Sequence, residues 1–230
     1  MKKQTLKKYF LFLPVFIFSF FYINCDDSGT TVKQGTDYCI SGKISNWSAG
    51  DKKLYAYVRS SRGISYSIAN CPVDVNGNFS LCLPAEIPDT TLFSSDSIFN
   101  IGCNGGTVNF DPPDVRGTEI SIFRIKSGDT IKGYIKCSNY TTLYPGAYYL
   151  MYVWVNKAVT VTGSNVCLGD TLNYNGSAST GWNKTCKIYK RVGTTGGNTI
   201  LYTTTEPGGA EWKYFGYSDF IEVNPKGKIK

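Results

Sequence analysis

From residue 38 onward, short apolar-rich segments alternate with turn residues, and this spacing is typical of β-strands. Segments such as YCISGKISNW, KLYAYVRS and NFSLCLPA are rich in Tyr, Val, Ile and Ser and are separated by Gly, Asn or Pro. Beyond the N-terminal signal segment, no stretch shows convincing helical periodicity. The pattern therefore predicts an all-β fold after a helical N-terminal signal segment. We expect an antiparallel β-sandwich, built as one large module or as two small ones.

The stretch 104–117 is dense in Gly, Asn and Pro and divides the β-rich region in two. This composition is typical of a linker or of a crossover loop between sheets. We therefore predict a β-sandwich module at 38–103 and a second β-rich module, or a continuation of the sandwich, at 118–224. The looser segment Gly163–Trp182 is predicted to be an exposed excursion between strands.

The segment CPVDVNGNFSLCL predicts a β-hairpin that turns at its Asn-Gly pair. A two-residue loop would place Cys71 opposite Cys82, whereas a three-residue loop with a bulge at Gly77 pairs Val73 with Phe79. The second register gives one clean apolar face, so we expect the bulged turn. Cys82 then points away from the face that carries Cys71, and a disulfide between these two is not expected.

One later segment, Ala147–Val155, is apolar on both of its faces. Its side chains alternate between Tyr148, Leu150, Tyr152 and Trp154 on one face and Tyr149, Met151, Val153 and Val155 on the other. A strand of this kind is expected to be central and to be covered on both sides.

The first 24 residues have the pattern of an export signal. Four lysines without an acid precede the fifteen mostly apolar residues Tyr9–Ile23. This run is shorter than the roughly 20 residues that a membrane-spanning helix needs. It ends at Cys25 and resembles a lipobox, the cleavage site of bacterial lipoproteins, although Tyr22 and Asn24 replace the usual Leu and small residue.

The lipobox resemblance implies removal of residues 1–24, acylation of Cys25 (for example with palmitate) and a flexible tether at 25–37. It implies a lipid-anchored protein of the bacterial cell envelope, at the outer membrane, on its periplasmic or its surface face. Two alternatives stay open. Residues 9–23 form an uncleaved anchor helix, or Cys25 is a disulfide cysteine that follows an ordinary signal.

Composition narrows the classes of function. Removing residues 1–24 lowers the formal net charge from +7 to about +3, and the remaining Lys and Arg form no dense run, so nucleic acid is not an expected partner. The chain contains no histidine, which excludes Ser-His-Asp and Cys-His nucleophile systems and His-containing metal sites. We therefore expect a protein that is not an enzyme and has no cofactor.

The cysteines show neither metal-ligand nor redox-motif spacing. Besides Cys25 they are Cys39, Cys71, Cys82, Cys103, Cys137, Cys167 and Cys186. Because none forms a C-x-x-C pair and seven is an odd number, we expect no metal, at least one cysteine unpaired within the chain, and an undetermined set of disulfides. The pattern Asp74-x-Asn76-x-Asn78 lacks the Gly and Glu of a calcium loop and is explained by turn chemistry.

The order of strands and turns over residues 36–86 resembles the carboxypeptidase-regulatory-like, or transthyretin-like, β-sandwich. Gly42 and the turn sequence NGNF at 76–79 occupy that family's typical positions. The resemblance implies a small accessory sandwich of an exported protein, usually without catalysis.

Aromatic residues supply the candidate binding residues. Trp47, Trp182 and Trp212 fall near predicted loops or strand ends, where their faces could stack on sugar rings. Packing in the core is the competing interpretation. A distant alternative is a carboxylate-based glycoside hydrolase, for which two sequence clusters of acids are candidates. They are Asp111, Asp114 and Glu119, and Glu206 and Glu211.

Taken together, these features predict a lipid-anchored envelope protein with a non-catalytic binding or structural β-sandwich. Its expected partners are the membrane, through the lipid on Cys25, and a glycan or another envelope protein. The alternative is a surface carbohydrate-binding accessory lipoprotein.

Overall fold

The computed structural model describes residues 38–59, 65–95, 103–120, 122–194 and 197–217. The predicted signal segment, Cys25 and the predicted tether lie outside these ranges, and so does the end of the predicted second module at 218–224. Within them the chain forms β-strands and a short 3-10 turn at Asp89–Thr91. The strands are β1 (Tyr38–Lys43), β2 (Lys52–Arg59), β3 (Ser65–Val73), β4 (Asn78–Leu83), β5 (Phe93–Ser94), β6 (Cys103–Asp111), β7 (Arg116–Ile120), β8 (Phe123–Ser127), β9 (Thr130–Ser138), β10 (Tyr148–Val155), β11 (Val159–Cys167), β12 (Asp170–Ala178), β13 (Gly181–Arg191), β14 (Thr199–Thr203) and β15 (Glu211–Gly216).

The strands join into a single hydrogen-bonded sheet, and the prediction of an all-β fold is confirmed. The main path runs β1-β4-β3-β2-β8-β9-β10-β13-β14-β12-β11-β6. Beside it, β15 pairs with β9, β7 pairs with β10, and β5 pairs with β7. Neighbouring strands are antiparallel except β12 and β14, which are parallel. The sequence pattern did not predict this parallel pair.

The largest core cluster combines residues from strands that are far apart along this path. It joins Leu54, Val73 and Leu81 of the first four strands to Leu150 and Ile188 of β10 and β13. The sheet therefore folds over on itself in a sandwich-like arrangement. Each fully buried side chain of this size contributes about 1.5–3 kcal/mol. Because both predicted modules supply residues to one cluster, their hydrophobic cores are shared.

The stretch 104–117, predicted as a linker or crossover loop, is mostly strand. It contains nearly all of β6, which pairs with β11, and the start of β7. Gly106 and Gly163 lie on these paired strands with positive φ, and the partner backbone occupies the space where a Cβ would stand. The glycines thus permit a close approach of two strands, which the composition alone did not distinguish from a loop.

The segment Gly163–Trp182 is likewise not an excursion between strands. It runs through the end of β11, all of β12 and the first residues of β13. Several of its side chains are exposed, which explains the weak apolar signal. The tip of this hairpin carries Leu168, which has a φ of 53° and is 86% exposed.

The bulged register of the hairpin between β3 and β4 is confirmed. Val73 pairs with Phe79, and Gly77 has a φ of +83°. The Gly77 N–H donates to the Asp74 carbonyl at 3.0 Å, and the Asp74 N–H donates to the Asn78 carbonyl at 3.1 Å. These two bonds close the turn that the sequence predicted.

Two disulfides connect cysteines that face each other on neighbouring strands. Cys39 of β1 bonds to Cys82 of β4, and Cys103 of β6 bonds to Cys167 of β11. Cys82 indeed lies on the face opposite to Cys71, as the bulged register requires. A disulfide between antiparallel neighbours limits sliding of one strand along the other.

Cys71 and Cys186 are buried free thiols. Burial raises the pKa of Cys71 to about 11 and that of Cys186 to about 12. Both therefore stay protonated near neutral pH and pack as small hydrophobic groups. Within the described ranges, no helix is long and apolar enough to cross a membrane.

Candidate ligand-binding site

Strand β10 presents its two apolar faces to different environments. Tyr148 and Leu150 belong to the main core cluster, together with Trp182, Cys186 and Ile188 of the neighbouring strand β13. The alternating residues point to the opposite side of the sheet, which we call the outer face of β10. This face carries Tyr149, Met151 and Val153.

The pairing of the neighbouring strands places charged residues on the outer face of β10. Lys187 of β13 lies directly opposite Tyr149, and Glu119 of β7 lies opposite Val153. Ser138 of β9 also pairs with Tyr149, so Lys136, two residues earlier, points to the same side. A covered strand was expected at β10, but these charged neighbours were not.

A cavity of about 100 Å³ opens on this outer face. Residues of β6, β7 and β10 to β14 line it, and the surface that they present to the cavity is mostly apolar. They include Met151, Val153, Val155, Val159 and Val161. Glu119 is the sole carboxylate among the lining residues, and Tyr174 and Tyr202 contribute stacked rings whose centroids are 5.1 Å apart.

Two lysines, Lys136 and Lys187, share one aromatic ring beside the cavity, and we call them the lysine pair. The Nζ of Lys136 lies 4.6 Å from the ring centroid of Tyr149, and the Nζ of Lys187 lies 5.8 Å from the same centroid. Lys187 also lies 5.7 Å from the ring of Tyr189 and 5.6 Å from that of Tyr202. Both lysines are half-buried. These cation–π contacts partly replace the water that each ammonium loses.

The two lysines differ in their electrostatic surroundings. Burial, and then the charge of Lys187, lowers the pKa of Lys136 to about 8. Burial also opposes the charge of Lys187, but Tyr202, Tyr189 and the Glu119 carboxylate outweigh it, so its pKa is raised. Among the described residues, neither lysine forms a salt bridge with a carboxylate. The Glu119 carboxylate thus acts through its charge on Lys187.

Glu119 is accessible to solvent and at the same time surrounded by protein, as expected for a residue on a concave surface. The surrounding protein desolvates its carboxylate and raises its pKa, and the charge of Lys187 acts in the opposite direction. The tyrosines nearby stay neutral because burial raises the pKa of Tyr149, Tyr174 and Tyr202, that of Tyr174 to about 12. Near neutral pH the site therefore offers ammonium and hydroxyl donors beside an apolar space.

Two of the three tryptophans predicted to stack on a ligand lie in the core. Trp182 and Trp212 are buried, and the Trp182 indole N–H donates to the Pro84 carbonyl at 2.8 Å. Trp212 packs edge-on against Phe79, with ring centroids 5.1 Å apart. Neither ring presents a face to solvent, because the sheet folds over both. The prediction of exposed stacking platforms is wrong for these two residues.

Trp47 is half-buried and packs against the turn of the β3–β4 hairpin. Its ring lies edge-on to Tyr214, with centroids 5.5 Å apart, and its Cβ would be 2.7 Å from a Cβ added at Gly77. Its indole nitrogen is buried and has no hydrogen-bond partner among the described residues. Trp47 lies outside the cavity lining.

The acids considered for glycoside hydrolysis do not gather in the cavity. Asp114 pairs with Lys157 at 2.6 Å, and Glu206 pairs with Lys184 at 2.9 Å. Of the five candidates, Glu119 alone lines the cavity. This arrangement lends no support to a mechanism that needs two facing carboxylates.

The Asp74 carboxylate is occupied by its own turn. Its Oδ1 accepts hydrogen bonds from the N–H groups of Asn76 and Asn78, and its Oδ2 accepts one from the Asn78 side chain. The bond from the Asn78 side chain, followed by those from the backbone, lowers the pKa of Asp74. Across the described residues, no group of three Cys, Asp or Glu side chains is arranged to hold a metal ion.

Sequence reasoning missed the lysine pair. The available signal was the position of Lys136 and Lys187 inside strands, between residues that point into the core: Ile135 and Cys137 flank the first, Cys186 and Ile188 the second. Only the register of β9, β10 and β13 shows that both lysines reach the same ring.

In comparisons with known proteins, no family model, no curated protein and no solved structure matches this chain. Function must therefore be inferred from the residues of the site.

Proposed function

We propose that this protein is a lipid-anchored protein of the bacterial cell envelope whose β-sandwich binds a ligand and performs no catalysis. The N-terminal signal that ends at Cys25 supports the anchor. The transthyretin-like order of turns in residues 36–86 agrees with an accessory binding domain.

The observation that carries the binding function is the cavity on the outer face of β10. Apolar side chains that fill a core do not leave open space, since protein interiors are close-packed. Here Met151, Val153 and Val155 instead line a space of about 100 Å³. A largely apolar cavity with a few polar groups at its edge is the usual form of a small-ligand site.

The alternative, a surface carbohydrate-binding lipoprotein, depended on exposed tryptophans. With Trp182 and Trp212 buried, it retains Trp47 alone of its three candidate residues. We therefore place it second to a ligand held in the cavity.

Membrane fractionation of cells that express the full chain tests the lipid anchor. Cys25→Ala is expected to move the protein from the membrane to the soluble fraction and to leave the signal segment uncleaved or misprocessed. Asn24→Ala is the matched control, because it keeps the cysteine and places a small residue at the usual lipobox position. It should remain membrane-bound.

Mass spectrometry of the membrane-extracted protein completes this test. The expected N-terminal peptide begins at Cys25 and carries acyl chains. A Cys25 peptide linked by a disulfide to another cysteine contradicts the lipid anchor. So does a membrane-bound Cys25→Ala variant with residues 1–24 still attached, which would favour the uncleaved helix.

A further inference from the structure

The cavity and the lysine pair form one continuous site. Glu119 and Tyr202 line the cavity, and both also interact with Lys187, Tyr202 through a hydrogen bond and Glu119 through its charge. Met151 lines the cavity, and it lies two residues after Tyr149 on the same face of β10. The ring of Tyr149 lies under both lysines. A ligand in the cavity would therefore have one end beside the ammonium groups.

We infer that this site binds a small amphipathic carboxylate, with its apolar part in the cavity and its carboxylate at the lysine pair. This inference rests on the proposed binding function and names the class of ligand. Lipid-derived short-chain acids and acidic sugars both carry a carboxylate. The charge of the site suits either class, and the lining favours the former.

The charge of the site favours an anion. Lys187 has the Tyr202 hydroxyl and the Glu119 carboxylate as partners, whereas Lys136 has aromatic rings and the like charge of Lys187. With both lysines protonated and Glu119 ionised, the three groups carry one excess positive charge. A half-buried ammonium without an anionic partner is costly, and a bound carboxylate removes this cost by forming a charge-assisted hydrogen bond.

The lining of the cavity favours a ligand in which the group attached to the carboxylate is apolar. Half of the cavity residues carry valine, methionine, alanine or aromatic side chains, and the surface that the lining presents to the cavity is mostly apolar. Its hydrogen-bonding side chains include Ser95, Thr118, Asn175 and Ser177. The Thr118 side chain is already buried, and Ser95 donates to the Pro113 carbonyl at 2.9 Å. A sugar ring needs many hydrogen bonds around its edge, and a mostly apolar lining surface offers few.

The volume limits the apolar part to a short chain or a single ring. A dry engineered cavity of about 150 Å³ is known to hold benzene, so a cavity of about 100 Å³ accommodates a group of similar or smaller size. Hexanoate is a suitable probe because its chain is short and its head is a carboxylate. 1-Hexanol has the same chain without the charge, and glucuronate has the charge without the chain.

Isothermal titration calorimetry at pH 7 on the full-length protein in detergent, with a titration into detergent alone subtracted, tests this inference. Hexanoate should bind more tightly than 1-hexanol and than glucuronate. Lys136→Met should weaken hexanoate binding by about tenfold or more, the loss expected for one charge-assisted contact, and should change 1-hexanol binding by less than about twofold.

Two further variants separate a binding role of Lys136 from a structural one. Lys132→Met changes an exposed lysine on the same strand and should leave hexanoate binding unchanged. Lys136→Arg keeps the positive charge and should retain most of the affinity. Circular dichroism of each variant checks that the fold is intact.

Each failure has a distinct meaning. Equal affinities for hexanoate and 1-hexanol, unaffected by Lys136→Met, would overturn the carboxylate inference and leave the proposed binding function standing. If glucuronate binds as tightly as hexanoate, the inference that the ligand places an apolar group in the cavity is wrong. Absence of binding by both hexanoate and 1-hexanol would overturn the cavity as a ligand site, and the inference with it.

Discussion

The two faces of β10 are equally apolar in sequence but differ in what they pack against. Tyr148 and Leu150 meet hydrophobic neighbours in the main core, and both are almost fully buried. Tyr149 and Met151, on the outer face, are also buried in a smaller hydrophobic cluster, but they meet lysines, tyrosines and an open cavity. Apolar composition of a strand therefore does not distinguish a core layer from the floor of a binding site. The neighbouring strands decide which of the two it becomes.

The difference also has an energetic side. On the core face every contact adds to the stability of the fold. On the outer face, Lys136 is held where burial and the charge of Lys187 oppose its protonation. Charged groups whose burial lowers the stability of the fold are common at functional sites. We therefore expect truncation of a core-face side chain to destabilise the protein, and removal of the Lys136 charge beside the outer face to stabilise it.

The largest expected effect comes from shortening a core-face side chain. Leu150→Ala should lower the free energy of unfolding by about 2–5 kcal/mol, because Leu150 is enclosed by the main cluster and its removal leaves a cavity. Met151→Ala should cost less than Leu150→Ala, since Met151 already borders open space. Urea unfolding of the two variants measures the difference. Equal losses would show that the outer face is packed like the core.

The second effect concerns the hairpin whose residues Val73 and Phe79 complete the core layer opposite β10. In Gly77→Ala the positive φ alone should lower the free energy of unfolding by about 1–2 kcal/mol. The new Cβ would also lie 2.7 Å from the Trp47 side chain, and this contact should add to the loss. Gly50→Ala is the control, with a φ of +67° and nothing within 4 Å of the added Cβ.

The difference between these two glycine variants isolates the contact with Trp47. Thermal unfolding of both should give a lower midpoint for Gly77→Ala than for Gly50→Ala. If the midpoints coincide, the turn moves freely against Trp47, and the core layer does not depend on its bulged geometry.

The smallest effect is a gain in stability on the outer face. Lys136 has a folded-state pKa of about 8, below its ordinary value of 10.5, so the unfolded chain binds more protons between these values and stability rises with pH in that window. Below pH 8 the charged lysine costs stability. Lys136→Met should therefore stabilise the protein by about 1–2 kcal/mol at pH 7, less than the full pKa shift implies, because the side chain is partly solvated.

Measurement of this gain at two pH values tests its cause. Urea unfolding should show the gain over wild type at pH 7 and its progressive loss as the pH rises from about 8 through 10.5, above which the lysine is mostly neutral in both states. The exposed Lys132→Met should show no such dependence. If Lys136→Met is less stable than wild type at pH 7, Lys136 stabilises the fold, and its charge is not a cost that a bound ligand would relieve.

Local sequence determined much of the secondary structure. Alternating side chains and Gly or Asn turns predicted the strands, because neighbouring residues on a strand point to opposite faces whatever the partner strand is. The requirement for one apolar face, combined with Gly77 at positive φ, was enough to predict the pairing of Val73 with Phe79 and the outward position of Cys82. The two-sided apolarity of β10 was also visible, although the use of its second face was not.

The tertiary structure decided everything that depends on strands distant in the chain. Trp182 and Trp212 are core residues because the sheet folds over them, and β6 is a strand because its glycines admit the backbone of β11. Lys136 and Lys187 are fifty-one positions apart in number and meet over Tyr149 only through the register of β9, β10 and β13. Such registers are set by the packing of whole layers, which no local pattern contains. The sequence by itself determined the strands and the turn, and the folding of the sheet determined which of their side chains lie together around the cavity.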